Sequence, residues 1–463
     1  MRISTAVAAV ALSAAVPVHS APIFGLGSIV SNILHTAENK LETYIDSWNE
    51  AVQESTDSWK HGKVVIFDPL KFIKALSSKR YSHQVTWPRK KKFPGWRNYK
   101  ANGVNLGTWL EIETNYAPSA IPAAYSEEWS YCEDVGKDVC GPVLEKHYDS
   151  WVTRDHIDTL AKYGVNTLRI PTTYASWYDV PGSQLYHGNQ VVKLKNVAEY
   201  AIKKYNMHVI IGLHSLPGGV NWLQIGEAQG HLDWWYNATN FDYSLKVVDK
   251  VLDYIEDSYN PTQYTFEAIN EPCDDFSKFA TPETVSANGT DWLNTYMRTV
   301  YSMIEKRGLS TCYWTPFWSE KDRFVIDSHF CTYMFFSGVY TTQTDPYPPP
   351  ADFFAASGVY ATYTSQIACG QAEAAAIDFP VFVGEWSLQS YYNNTLALRQ
   401  EIFQTQQYAW QKYLAGGAFW NIRYEGTDLV SSGEGGTKDY WSFMNLINDG
   451  VTLPGGAING SYC

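Results

Sequence analysis

Two glutamates stand in short segments that could cut a sugar linkage. Glu271 lies in Ile269-Asn270-Glu271-Pro272 and Glu385 in Gly384-Glu385-Trp386. Retaining glycoside hydrolysis needs one carboxyl group to protonate the leaving oxygen and a second, about 5 to 5.5 Å away, to attack the anomeric carbon. The two must differ in pKa, because the acid holds its proton while the nucleophile is ionised. Arg169, in Leu168-Arg169-Ile170-Pro171, is a cation able to keep Glu385 charged. Asn270 is placed to hydrogen-bond the sugar 2-hydroxyl, a contact that strengthens in the transition state. His214 closes Gly212-Leu213-His214, and Trp420 lies in Phe419-Trp420-Asn421.

These residues need elements that bring them to one rim. From Ala101 onward, β-rich runs alternate with longer helical patterns. The predicted strands are Gly103–Leu106, Asn166–Pro171, His208–His214, Tyr264–Asn270, Cys312–Pro316, Phe324–His329, Pro380–Trp386 and Gly417–Asn421. Predicted helices include His147–Tyr163, Lys193–Tyr205, Phe241–Asp257, Trp292–Lys306 and Leu396–Leu414. Such alternation implies a parallel sheet with helices outside. Eight units close into an α/β fold of the (β/α)8 TIM-barrel type, whose sites gather at the C-terminal ends of the strands. The candidate site residues all fall at such ends. The proline-rich loop Thr341–Pro350 reads as a stiff rim over the site. Each residue has a plainer reading too. Arg169 could be a strand-end ion pair, His214 and His329 core histidines, Trp386 and Trp420 core rings, and Glu113 a helix cap. Trp177, Trp222, Trp234, Trp235 and Trp318 are either outer subsites or core.

The motifs in order resemble glycoside hydrolase family 5 of clan A, and among its members the fungal exo-β-1,3-glucanases. The opening G-V-N-L-G-x-W…E is matched by Gly103, Val104, Asn105, Leu106, Gly107, Trp109 and Glu113. L-H-x-x-P-G-x-x-N is matched by His214, Pro217, Gly218 and Asn221. The resemblance covers residues 100 to 450 in round terms. It implies that Glu271 is the acid/base and Glu385 the nucleophile. It implies that Arg169, His214, Asn270 and Trp420 shape the site for the non-reducing sugar, with Glu113, Asn221 and Trp386 beside them, and that no cofactor or metal is needed. The family's H-x-Y at the end of strand six is altered: His329 fits, Cys331 stands two residues on, and Tyr333 supplies the ring only if two residues are inserted. Thr114 replaces the usual proline after the opening glutamate, and strand eight reads Phe419-Trp420-Asn421-Ile422-Arg423 where the family has F-W-S-W-K. These departures leave open the sister groups, β-1,6-glucanases and diglycosidases that release a disaccharide from a plant glycoside.

The whole chain sets the context. Its 463 residues are 45% hydrophobic and 15% aromatic, with 18 Trp and 33 Tyr, enough for a large core and for a cleft lined with flat rings. A net charge of −13 argues against a nucleic-acid partner. Residues 1–21 read as a signal peptide, with Arg2 before the short apolar stretch Ala6–Pro17. That stretch is too short to span a bilayer, and no later run suggests a membrane anchor. Sequons begin at Asn237, Asn288, Asn393 and Asn459, in keeping with a secreted glycoprotein of the extracellular space or cell wall. Residues 22–96 form an N-terminal helical extension or a propeptide, with Ser28–Lys60 at helical spacing and basic runs at Lys79-Arg80 and Arg89–Lys92. The catalytic domain is expected over 97–463, as a monomer acting on a β-linked glucan or glucoside. Of seven cysteines, Cys132 and Cys140 make the easiest local pair, and Cys273 is the candidate free thiol. Two readings of other classes remain: a binding protein on a dead barrel scaffold, and a structural wall protein held by the N-terminal helix.

Overall fold

The computed structural model describes residues 90–278, 284–309, 325–329, 379–389, 394–430 and 433–460, all within the unit Trp87–Cys463. Seven parallel strands curl into a sheet: β1 (Ala101–Asn105), β2 (Thr167–Thr172), β3 (His208–Leu213), β4 (Tyr264–Glu267), β5 (Ile326–His329), β6 (Val381–Trp386) and β7 (Gly416–Phe419). Their order is β4-β3-β2-β1-β7-β6-β5. This is the strand order of a (β/α)8 barrel. The predicted strand Cys312–Pro316 falls in sequence between the two edges, β4 and β5, and lies outside the described residues, as does the loop Thr341–Pro350. β1, β2, β3, β6 and β7 are buried along their whole length, as a parallel sheet covered on both faces requires.

Helices follow the strands. Between β1 and β2 run α1 (Glu128–Val135), α2 (Lys137–Trp151) and α3 (Arg154–Lys162). The single helix predicted over His147–Tyr163 is therefore two. Thr153 caps the second, accepting from the backbone N–H of His156 while His156 Nδ1 accepts from that of Thr153, and this capping box breaks the run. α4 (Gln190–Tyr205), α5 (Ala238–Glu256), α6 (Ala287–Lys306) and α7 (Arg399–Tyr413) match the other predicted helices. α5 and α6 begin earlier than expected, because Asn237 and Ser286 cap their first turns. Cys132 and Cys140 form a disulfide, and Cys273 is free and buried.

The N-terminal end of the barrel is closed by apolar packing. Trp96, Ala101, Ile210, Val325, Phe382, Ala415 and Ala418 form one buried cluster. Trp96 Nε1 donates to Thr265 Oγ1 at 3.1 Å, and the Phe93 ring stacks on His208 with centroids 3.8 Å apart. Phe93 and Trp96, at the end of the segment read as an extension, thus pack into the foot of the barrel. Among the described residues no helix is long and apolar enough to cross a membrane.

Candidate active site

The opposite end of the lumen is polar and charged. Arg169, in the middle of β2, is fully buried. Nε and Nη2 form a fork onto the two oxygens of Glu267, at 2.7 and 2.6 Å. Nη2 also donates to Asn270 Oδ1 at 2.9 Å, and Nη1 to Asn105 Oδ1 at 2.9 Å and Glu385 Oε1 at 2.8 Å. Asp327 lies 3.6 Å from Nε. One guanidinium thereby fixes residues from β1, β2 and β6, together with the end of β4. Such planar, two-pronged bonding is what a lysine could not supply.

Sequence reasoning had placed Arg169 beside Glu385 but had missed Glu267 and Asp327. Strand alternation carries the missing signal. Positions 265, 267 and 269 share one face of β4, and 325, 327 and 329 one face of β5. A charge inside a strand buried on both faces has only the lumen to enter. Asp327 crowds Gly384 so closely that a Cβ there would strike its carboxylate, which explains the glycine before Glu385.

Glu271 follows β4 in a left-handed backbone conformation, with φ of 42°. For a non-glycine residue this is strained, and it re-aims the side chain over the lumen. Its Oε1 accepts from His329 Nδ1 at 2.9 Å, and the same nitrogen lies 3.7 Å from Glu385 Oε2. One oxygen of each glutamate and a ring nitrogen of His329 lie within 4.8 Å of one another. Asn270 is buried, and its Nδ2 has no partner among the described residues, so that its N–H groups can donate to a ligand. Trp420 lies flat over Gly107 and stacks parallel to His214, with centroids 5.7 Å apart. Glu113 Oε1 is 3.9 Å from His214 Nε2. Asn221 is buried with Nδ2 unpartnered, in the loop whose Val220 carbonyl accepts from the Cys273 N–H.

Charge states follow from this packing. Burial pulls His329 down, but Glu385, Asp327 and Glu271 outweigh it and hold the imidazole well above its ordinary value. Burial pushes Glu385 up to about 7, against the pull of His329 and Arg169. Burial also pushes Glu271 up, but His329 and Arg169 overcome it and leave the carboxyl below its usual range. Three groups of acids and histidines are close enough to share a cation: Glu271, His329 and Glu385; Glu267, Asp327 and His329; and Glu111, Glu113 and His214. Arg169 is already paired with Glu385 of the first and with Glu267 and Asp327 of the second.

One site residue is not brought to the rim. Trp386 packs on Phe403 of α7 and on Phe419, on the helix side of the sheet. It follows Glu385 on β6, so alternation turns it away from the lumen. Trp177, Trp234 and Trp235 are likewise buried, whereas Trp222 stacks on Phe276 in the loop above β3. Tyr333 and Trp318 lie outside the described residues.

Comparison with known proteins agrees with the geometry. A family model described as cellulase (glycosyl hydrolase family 5) matches residues 132–426. Glucan 1,3-beta-glucosidase 1 of Schizosaccharomyces pombe is 32% identical over 184 residues, covering 37% of this chain and 44% of that protein. Glucan 1,3-beta-glucosidase of Kluyveromyces lactis is 28% identical over 196 residues, covering 40% and 45%. The chain thus matches less than half the length of these curated relatives. The crystal structure of rutinosidase from Aspergillus niger is similar over 78% of this chain and 100% of that one, with 38% identity and a TM-score of 0.68.

Proposed function

The chain belongs to glycosyl hydrolase family 5, and from that premise we propose that it is a retaining exo-β-1,3-glucanase that releases glucose by double displacement. The observation that carries the reading is the approach of Glu271 and Glu385 oxygens to within 4.8 Å. That spacing suits a nucleophile and an acid. An inverting pair stands about 6.5 to 9.5 Å apart, to admit a water.

The roles are those that the family motifs imply. Glu385, bonded to Arg169, attacks the anomeric carbon, and the bond to the leaving oxygen breaks as that oxygen takes a proton from Glu271. The proton starts on the His329 imidazolium and passes along the 2.9 Å hydrogen bond to Glu271 Oε1. This transfer reconciles a Glu271 that is ionised in the empty site with its work as an acid. In the second half, water gives a proton to Glu271 as its oxygen displaces the Glu385 ester, and that proton returns along the same hydrogen bond to His329. The Asn270 amide donates to the sugar 2-hydroxyl, and Trp420 with His214 forms the flat wall for the ring. The expected setting is extracellular or in the cell wall, for a monomer.

A second reading keeps this chemistry but makes the product a disaccharide. The likeness to a rutinosidase along that protein's whole length favours it. A product profile on laminarin, pustulan, rutin and a nitrophenyl glucoside at about pH 5 separates the two. Glucose from laminarin supports the first reading, and rutinose from rutin the second. Binding without release from all four substrates would move the chain to the dead-scaffold class.

A further inference from the structure

Glu111 plays no part in the reaction above, yet it is an acid with no exposed surface. Neither of its oxygens has a hydrogen-bond donor among the described residues. It sits two positions before Glu113 in the segment that follows β1, and Leu110 bridges to Thr172 at the end of β2. Alternation puts 111 and 113 on one side of that segment. One atom each of Glu111, Glu113 and His214 lie within 4.8 Å of one another. Gly226 roofs the spot: a Cβ there would meet Ser215 Oγ at 2.9 Å and Glu111 Cγ at 3.2 Å. The Ser215 hydroxyl and His214 Nδ1 are also buried without partners among the described residues.

The charges around the pair are of one sign. Glu128 and Glu385 bear on Glu111, and Glu385 and Glu271 on Glu113. Glu227, next to Gly226, adds another buried acid, bonded to His231. His214 is kept neutral by burial and by Arg169 and His329. Glu385, by contrast, has Arg169 at 2.8 Å. Two ionised carboxylates this close, buried and without a cation, would be costly. Neighbouring carboxyls in that position resolve the conflict by keeping one proton between them.

We propose that Glu111 and Glu113 share a single proton, and that Glu111 is a positioning residue which holds the Glu113 carboxyl in place to read a hydroxyl of the non-reducing sugar. The role given to Glu113 rests on the glycone pocket of the proposed function. The shared proton does not. Glu113 keeps some exposure towards the pocket while its Oε1 is buried, so the pair has an inner end and an outer end. The inner proton fixes the plane of the outer carboxyl.

Infrared difference spectroscopy at pH 7 on E385Q reads the proton without any turnover. A protonated-carboxyl stretching band is expected, perturbed by laminaribiose and lost in E385Q/E111Q. A band unchanged by E111Q overturns the proposal. In the otherwise native enzyme, E111L should raise KM about tenfold, the loss of one charged hydrogen bond, while kcat changes less. E111Q, whose amide can donate to Glu113, should restore most of that loss. An E111L enzyme with unaltered KM, or an E111Q enzyme as poor as E111L, also overturns it. Turnover by E385Q would sink the proposed reaction while leaving the infrared result to stand on its own.

Discussion

His208 begins β3 and His329 ends β5, and their surroundings drive them in opposite directions. His208 starts β3 at the closed foot of the barrel. Phe93 stacks on it, Trp96 and Tyr99 stand edge-on or tilted around it, and its Nε2 bonds Thr265 Oγ1 at 2.7 Å. No carboxylate faces it, and burial drives its pKa down to about 3. His329 ends β5 at the open rim among Glu271, Glu385 and Asp327, and those acids hold it protonated. The same side chain is a packing block at one end and a proton store at the other. His208 is wholly buried and His329 keeps 15% of its side-chain surface, yet burial pulls both imidazoles down. What differs is whether negative charge shares the space.

The comparison breaks first at the charged end. E385Q should lower kcat on a nitrophenyl glycoside by about 10³-fold or more, since the attacking group itself is gone. Retention of wild-type rate would remove the charged cluster from the chemistry altogether. E267Q tests the frame behind it. Glu267 never reaches the substrate, but it holds two nitrogens of Arg169, and loosening that fork lets Glu385 and Asn270 shift. A fall in kcat/KM of roughly 10- to 100-fold is expected, the size of a misplacement of about 1 Å. An unchanged rate would mean that Asn105, Asn270, Glu385 and Asp327 suffice to orient Arg169.

The two ends were not equally legible in the sequence. Rim residues stand in short contiguous motifs, so Glu271, Glu385, Arg169, His214 and Asn270 could be named with roles. Strand alternation hid the rest. Glu267 and Asp327 sit inside strands, where a charge looks like noise until the strand is known to be buried on both faces. The family resemblance places Trp386 beside the sugar, and alternation on β6 turns it onto Phe403 and Phe419 instead. At the foot, Phe93 and Trp96 belong to a stretch that reads as basic and loop-like, and only their contacts with His208, Thr265 and Phe382 reveal a plug. Helix starts were late by several residues at Asn237 and Ser286, because a cap announces itself through one hydrogen bond rather than through periodicity. Glu111 escaped notice for a different reason. An acid between apolar residues carries no motif, and its oddity is a fully buried carboxyl whose charged neighbours are other carboxyls.

The pH behaviour of His329 sharpens the contrast. In the free enzyme Glu385 must be ionised for attack, and its pKa is raised, so the acid limb of kcat/KM should lie above the ordinary carboxylate value of about 4.3. His329→Gln removes a positive neighbour from both glutamates. Each then holds its proton more tightly, so the acid limb should move to higher pH, while the basic limb, set by His329 in the native enzyme, should fall to that of the Glu271 carboxyl, with a lower maximum from the lost proton store. Limbs that stay in place would show that His329 is neutral in the working enzyme, like His208.

The smallest effect is expected at His208, and it appears as stability rather than rate. Its folded pKa of about 3 lies below the unfolded value of about 6.5, so between those limits the unfolded chain binds the extra proton. Stability from this group is complete above about pH 6.5 and is lost as pH falls towards 3, by up to about 1.4 kcal/mol per pH unit. His208→Phe keeps the stack on Phe93 but gives up the hydrogen bond to Thr265, a cost of about 1 kcal/mol at pH 7. At pH 4.5 the order should reverse, because the variant no longer resists protonation. The raised carboxyl of Glu385 also titrates near this range, but it is common to both proteins and cancels in the difference. Urea midpoints of the two proteins at pH 7 and pH 4.5 decide the matter. Parallel losses would mean that His208 accepts a proton without leaving its place. The foot of the barrel would then be open to charge, as its rim is.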